Sequence, residues 1–324
     1  MPGNEKYPLA IVISALLLWT PGAGGQTYPA KTVRMVVPFA AGGGTDLIGR
    51  LLAQKLTEAW GQQMVVDNRA EGGSVIGTEV VARSAPDGYT LLLTAFPFTT
   101  NAALLPKLPY DSLQDFAPVT LAALAPLIVV VHPSLPVRST KDLVAVARAR
   151  PGQLSYGSSG NGGPQHLAGE LFKSMAGVDM VHIPYKGGAP ATVDLVGGQV
   201  QVGFSSMLTV MTFVKSGRLR AIAVTSARRS AILPELPTIA ESGYPGYETT
   251  TWYGILVRAG TPASVISILN ADLARALKLP EIRDRLATEG AEAVSNSPAA
   301  FAAFLQAEIE RVRKLSKIAV LKLD

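Results

Sequence analysis

Two rhythms of apolar positions alternate along this chain, one strand-like and one helical. Val33 to Val37 form a β-branched run, Gly42, Gly43 and Gly44 interrupt it, and Leu47, Leu51 and Leu52 then recur at helical spacing. That order predicts a strand, a bend and a helix. The same order recurs with a strand at 64–67, a Gly72-Gly73 bend and a helix near 75–83, followed by a Pro86-Asp87-Gly88 turn and a strand at 89–94. Residues 119–131 are long, apolar and expected to be broken at Pro126. A helix over 139–149 turns Val144 and Ala147 inward and ends at Pro151-Gly152.

The opening pattern then returns. A strand ends near Tyr156, a glycine, serine and asparagine stretch runs to Gly162, and Pro164 opens a helix with Leu167, Leu171 and Met175 on one stripe. A third unit places a strand at 181–184, a bend at Lys186-Gly187-Gly188 and a short helix over 190–196. Val200, Val202 and Phe204 alternate as a strand does. Further strands are expected at 219–224 and 249–257, the latter crossing back to the first half of the chain. Thr261 is expected to cap a helix opened by Pro262, with Ile266, Leu269, Leu273 and Leu277 inward. Ser297-Pro298 opens the last helix. Such alternation predicts an α/β chain whose mainly parallel sheets are flanked by helices.

Glycine loops between a strand and a helix present unpaired N–H groups and the positive end of a helix dipole, so they suit anions. Phosphate fits poorly here. No Lys follows Gly42 to Gly44 as a Walker loop requires, and a dinucleotide fingerprint would need glycine at Leu47. Asp46 adds negative charge at the helix start. A carboxylate is the smaller anion that such amides accommodate, against the plainer reading of a glycine turn capped by Asp46. In open α/β sheets ligands lie beyond the carboxyl ends of strands, so two such loops on facing lobes would close on one solute.

The start of the chain indicates where this happens. Lys6, an apolar run over 9–19, and then Pro21, Gly22, Ala23 and Gly24 form a secretory signal peptide over 1–25. The apolar run is shorter than the roughly 20 residues a membrane span needs. The chain contains no Cys, which excludes disulfides and a lipid-modified cysteine anchor. An exported protein in the bacterial periplasm is expected. Its net charge of +5 is spread without a Lys/Arg block, so no nucleic-acid partner is expected.

Catalytic chemistry finds little support. His132, His166 and His182 lie far apart in sequence without metal-ligand spacing, and no metal or cofactor is expected. His166 and Glu170 read as a helix-surface pair. Gly203-Phe204-Ser205-Ser206-Met207 lacks the last glycine of a nucleophile elbow. No catalytic residue is assigned.

Five stretches carry a resemblance: "YPAKTVRMVVPFAAGGGTDLIGRLLAQKL", "VVDNRAEGGSVIGTEVVARSAPDGYTLLL", "LSYGSSGNGGPQHLAGELF", "HIPYKGGAPATVDLVGGQVQVGF" and "GRLRAIAVTSARRS". In this order they cover almost all of the mature chain. It resembles the Bug family of periplasmic receptors for tripartite tricarboxylate transporters. The resemblance implies a two-lobed Venus-flytrap fold that holds a small carboxylate in its cleft and delivers it to membrane permease subunits, acting as a monomer. The lobes implied are 26–122 with 251–324, and 123–250. The first loop would contribute Phe39, Ala40, Gly42, Gly43, Gly44 and Asp46. The facing lobe would contribute Ser158, Gly160, Asn161, Gly162 and Gly163, with Thr94, Ala95, Tyr185 and Ser205 at the cleft.

One departure bears on specificity. Relatives commonly carry Phe-Asp-Asn where this chain has Phe204-Ser205-Ser206. A hydroxyl does not supply the charge that an ammonium group needs. A simple or aromatic mono- or dicarboxylate is therefore expected rather than an amino acid. A receptor feeding a two-component system, or a periplasmic enzyme acting on a carboxylate, are the alternatives at this stage.

Overall fold

The computed structural model describes Gly3 and residues 28–185, 187–230, 232–288 and 290–319. The signal peptide expected over 1–25, Gly3 apart, lies outside the described residues, as does Lys186. From the N-terminal side the first elements are β1 (Val33–Val37), α1 (Gly44–Trp60), β2 (Met64–Asn68), α2 (Val75–Ala82), β3 (Thr90–Ala95), α3 (Pro97–Leu104) and the long β4 (Phe116–Val131). Then come α4 (Thr140–Ala149), β5 (Ser155–Ser158), α5 (Pro164–Ala176), β6 (Val181–Pro184), α6 (Gly188–Val196), β7 (Val202–Ser206), α7 (Met207–Lys215) and β8 (Arg220–Val224). The chain closes with β9 (Thr250–Arg258), α8 (Ala263–Lys278), α9 (Pro280–Thr288), β10 (Glu292–Ala293) and α10 (Pro298–Ala319).

These strands build the two lobes of a periplasmic binding fold, joined at β4 and β9. In the first lobe β2, β1 and β3 pair in parallel, and β9 joins β3 antiparallel. In the second, β6, β5 and β7 pair in parallel and β7 joins β4 antiparallel. Both sheets are thus mixed: the parallel pairs expected from the alternation hold the loops, and the antiparallel pairs belong to the crossing strands. Strand β4 pairs with β9 from Phe116 to Pro126 and with β7 and β8 from Leu127 onward.

Pro126 does not break this strand. It sits where β4 changes partners, opposite Thr250 at the start of β9. A ladder needs no donor from a residue at such a junction, so proline is tolerated there. A second expectation also fails: Thr261 does not cap α8. Its hydroxyl donates to Arg258 O at 2.7 Å, and Pro262 is the capping residue. Ser297 does cap α10, its hydroxyl accepting from Ala300 N at 3.2 Å.

Each lobe has apolar packing on both sheet faces. In the first, Met35, Leu52, Leu93, Leu269 and Leu273 join β1 and β3 to α1 and α8. On the other face Leu92, Trp252 and Phe301 pack α10. In the second lobe Tyr156, Phe172 and Phe204 form one core, and Ile128, Val130 and Met207 another. Leu167 of α5 packs with Trp252 and Phe301, so α5 rests against the first lobe's core. The result places the carboxyl ends of β1 and β3 in one lobe, and of β5 and β7 in the other, next to the strands that cross.

Gly254 on β9 is opposite Thr94, and a Cβ there would overlap the Phe301 ring. Gly254→Ala is therefore expected to cost about 1–3 kcal/mol through overpacking. Urea unfolding of the two proteins measures it, and an unchanged midpoint would contradict this packing of α10.

Candidate ligand-binding site

The two glycine loops share one construction. Gly43 and Gly163 are the capping residues of α1 and α5, both extended, with φ −83° and −70°. The glycine before each, Gly42 and Gly162, is left-handed at φ +82° and +71°, a conformation that glycine adopts without strain. The residue three after each cap then reaches back to that glycine's amide. Gly42 N donates to Asp46 Oδ2 at 2.8 Å, and Gly162 N donates to His166 Nδ1 at 3.1 Å. This resembles the second half of a capping box, displaced by one residue.

The bond locks each loop; at the second, Gly163 N donates to Gly160 O at 3.4 Å and Pro164 has no N–H, whereas the first leaves its helix-start amides uncommitted. Among the described residues, no acceptor is recorded for the N–H groups of Gly43, Gly44, Thr45 and Asp46. Gly42 and Gly43 are exposed and Gly44 half-buried, so these donors adjoin solvent. The helix dipole adds positive potential at the same place. In the second loop Ser159 N donates to Gln165 Oε1 at 2.8 Å and Gly160 N to Ser158 Oγ at 3.1 Å. Asn161, exposed at the tip, has no recorded acceptor for its N–H.

Asp46 is buried, and its carboxylate is held by Gly42 N and by Arg50 Nε at 3.0 Å. Burial pushes its pKa up, but hydrogen bonds from Arg50 and Gly42 outweigh that and hold it below the ordinary carboxylate value. It is therefore an anion at neutral pH. Its Oδ1, like the Thr94 hydroxyl at the end of β3, is buried with no partner among the described residues. Buried oxygens are nearly always hydrogen-bonded, so both suit a ligand donor or an ordered water. Phe39 packs partly on the first lobe's core and its carbonyl accepts from Asn68 Nδ2 at 3.1 Å, while Ala40 is exposed. Ala95 is buried opposite Tyr253.

On the second lobe, Ser158 is buried beneath its loop. Its hydroxyl contacts Gly160 O at 3.0 Å and His182 Nε2 at 2.6 Å. Ser205 is buried on β7 beside Ile128, and no hydrogen bond is recorded for its hydroxyl among the described residues. The Tyr185 phenol donates to Asp194 Oδ2 on α6 at 2.7 Å. Burial and then Asp194 push that phenol up to about 12. Its backbone still serves the loop, Tyr185 N donating to Ser158 O at 3.0 Å.

The histidines depart from expectation. His166 and His182 stack with ring centroids 3.9 Å apart, 7° from parallel, and His166 is buried rather than on a helix surface. Glu170 is taken by Tyr156, whose hydroxyl donates to it at 2.7 Å, and by Lys173 at 2.8 Å. Sequence spacing hid this because strand β6 carries His182 back beside α5. Arg50, Gln165 and the two histidines were the missed members. The signal for His166 was available, since it follows Gly162 by the same four residues that separate Gly42 and Asp46.

A cavity of about 740 Å³ lies elsewhere, lined in part by Arg228, Arg229, Lys278, Arg283 and Asp284. None of the loop residues above lines it. Among the described residues no cluster of three His, Cys, Asp or Glu could hold a metal ion.

Two α/β lobes with matched amide loops at their facing strand ends define a solute-binding receptor of the periplasmic type. Residues 48–321 match the model of the tripartite tricarboxylate transporter family receptor, and the chain belongs to that family. It is 40% identical to Protein BugT of Bordetella pertussis over 288 residues, 88% of each chain. Among solved structures it is similar to R. palustris Rpa4515 with adipate, at 39% identity and a TM-score of 0.85, covering 91% of this chain and 99% of that one. It is also similar to MatC (Rpa3494) from Rhodopseudomonas palustris with bound malate, at 29% identity and a TM-score of 0.79, covering 89% and 99%. Family receptors bind and hand over solute rather than catalyse, so this chain is a transport receptor and not an enzyme.

Replacing Asp46 with Asn keeps an acceptor oxygen but removes the negative charge that Gly42 N and Arg50 share, and is expected to cost about 1–3 kcal/mol at pH 7. Because the folded pKa is depressed, this contribution is complete above the unfolded value near 3.9 and lost as pH falls through the folded one. The gap in urea midpoints between wild type and D46N should therefore close in acid. A gap that persists unchanged at about pH 2.5 would contradict the charge's role.

Proposed function

We propose that this receptor captures a small dicarboxylate between the loop at Phe39–Asp46 and the loop at Ser158–Gly163, and delivers it to the permease of a tripartite tricarboxylate transporter. The observation that carries the reading is the row of uncommitted N–H groups at Gly43, Gly44 and Thr45 at a helix start, which reaches solvent at exposed Gly43. One ligand carboxylate accepts from these amides. The other end meets the second loop, with Thr94, Ala95 and Ser205 bounding the cleft. We take the lobes as 26–122 with 251–324, and 123–250, because β4 passes from the first core to the second near Pro126 and β9 begins opposite that point. The protein acts as a monomer after removal of its signal peptide.

The energetics suffice without catalysis. Hydrogen bonds to a charged group contribute roughly 1.5–3 kcal/mol each, and a helix start adds about 0.3–1 kcal/mol. Three or four such contacts, less the cost of closure, reach about −8 kcal/mol, a micromolar Kd. Two similar structures whose ligands are the dicarboxylates adipate and malate support the ligand class. Ser205 and Ser206 leave no carboxylate at the end of β7 to meet an ammonium group, which favours adipate over glutamate.

A thermal-shift screen tests this. Adipate is expected to raise the melting midpoint in proportion to the logarithm of its concentration, equivalent to about 2.7 kcal/mol at a hundredfold excess over Kd, with a smaller effect from glutamate. A stronger shift from glutamate would overturn the selectivity. Gly43 is the informative substitution. A Cβ there would meet only Ala40 O, at 3.6 Å, so Gly43→Val should fold normally while its side chain covers the amides. Retained adipate binding in that variant would remove this loop from the site.

A further inference from the structure

We propose that His166 and His182 are positioning residues: a neutral, stacked imidazole pair that sets the shape of the second lobe's glycine loop and makes ligand capture sensitive to acid. The proposal rests on the reading that this loop holds ligand. The hydrogen bonding fixes one tautomer. Gly162 N–H donates to His166 Nδ1, so that nitrogen bears no proton and the ring carries its hydrogen on Nε2. Its partner His182 lies 3.9 Å away, almost coplanar in stacking, and grips the Ser158 hydroxyl through Nε2 at 2.6 Å. Ser158 in turn accepts from Gly160 N at 3.1 Å. Two of the loop's glycine amides are thus oriented through this pair.

Protonation would undo the arrangement. A proton on His166 Nδ1 sets two donors against each other at the 3.1 Å contact with Gly162, and the amide must leave. A charge on both rings would place like charges 3.9 Å apart. The surroundings oppose charging. Burial lowers both pKa values, taking His182 down to about 4 with further lowering from His166. The charged groups recorded as facing the pair are Glu170, which favours protonation, and Lys173, which opposes it; both lie on α5. They are paired with each other. From β5, Tyr156 stacks on His182 at 5.0 Å and directs its hydroxyl to Glu170. Glu170 is thereby engaged twice and does not bond either ring.

The contrast with the first loop shows what the substitution changes. There the reaching residue is Asp46, already charged at neutral pH and paired with Arg50. It performs the same geometric task but titrates far below the periplasmic range. With imidazole in the equivalent place, the second loop takes up protons as pH falls through the pair's lowered folded values, about 4 for His182 and below the ordinary histidine value for His166.

Two variants test the proposal. Asn can place its side-chain oxygen where Nδ1 accepts, and Gln its amide where Nε2 bonds, so His166→Asn with His182→Gln keeps the bonds without the titration. His166→Leu removes the acceptor. Adipate affinity is measured by calorimetry from pH 7.5 to 3.5 on the mature chain. The ratio of wild type to the H166N/H182Q protein cancels protonation of adipate itself. That ratio should fall with acid, approaching tenfold per pH unit where the pair takes up one proton. H166L should bind more weakly at every pH. A constant ratio, or wild-type affinity in H166L, overturns the proposal. Imidazole nitrogen shifts read by NMR decide the matter even if adipate is not the ligand. They should show His166 unprotonated at Nδ1 at pH 7.5 and titrating below the ordinary histidine value. Ordinary titration, or a proton on Nδ1, would contradict the pair's role without touching the proposed ligand class.

Discussion

A helix cannot satisfy the first N–H groups of its own backbone, and this fold brings that deficit to the same place in both lobes. At α1 the deficit is only partly repaired, by Asp46 reaching back to the Gly42 amide, while at α5 His166 takes Gly162 N, Gly160 O takes Gly163 N and Pro164 has no N–H. Full repair would leave nothing for a solute. No repair would leave the loop without a fixed shape. Asp46 and His166 each commit one amide, and in the first loop the remainder is held in place for a ligand.

The frame makes those helix starts face a common space. Strands β4 and β9 run antiparallel from one lobe toward the other, and the parallel strands on either side end where the crossing occurs. Pro126 sits where β4 exchanges β9 for β7 and β8, a place where a missing donor costs little. Trp252 and Phe301 pack behind β9, and Leu167 ties the start of α5 to that same cluster. Loop geometry in the second lobe is therefore anchored partly by packing on the first.

Much of this was legible in the sequence. The β-branched runs at Val33 and Val181, the proline at the start of α5, and the glycine loops after β1 and β5 announced themselves by composition and spacing. Short elements without such marks did not. Helices α3 and α7 begin directly after strands, and β10 has two residues, so no periodicity distinguishes them. The site was legible in its backbone and illegible in its side chains. Gly42 to Asp46 could be read from a helix start, whereas the stack of His166 on His182 depends on β6 lying beside α5. The hydrogen bond from the Tyr185 phenol to Asp194 on α6 was likewise not legible from spacing.

The proposed function depends on the amides of Gly43, Gly44 and Thr45 receiving a carboxylate. Titrating isotopically labelled mature protein with adipate while following amide proton and nitrogen shifts examines this residue by residue. Saturable downfield shifts at these three amides, together with changes at Ser158 to Gly163, are expected. Shifts confined to the cavity around Arg228 and Arg283, with the amides of Gly43 to Thr45 unmoved, would contradict it.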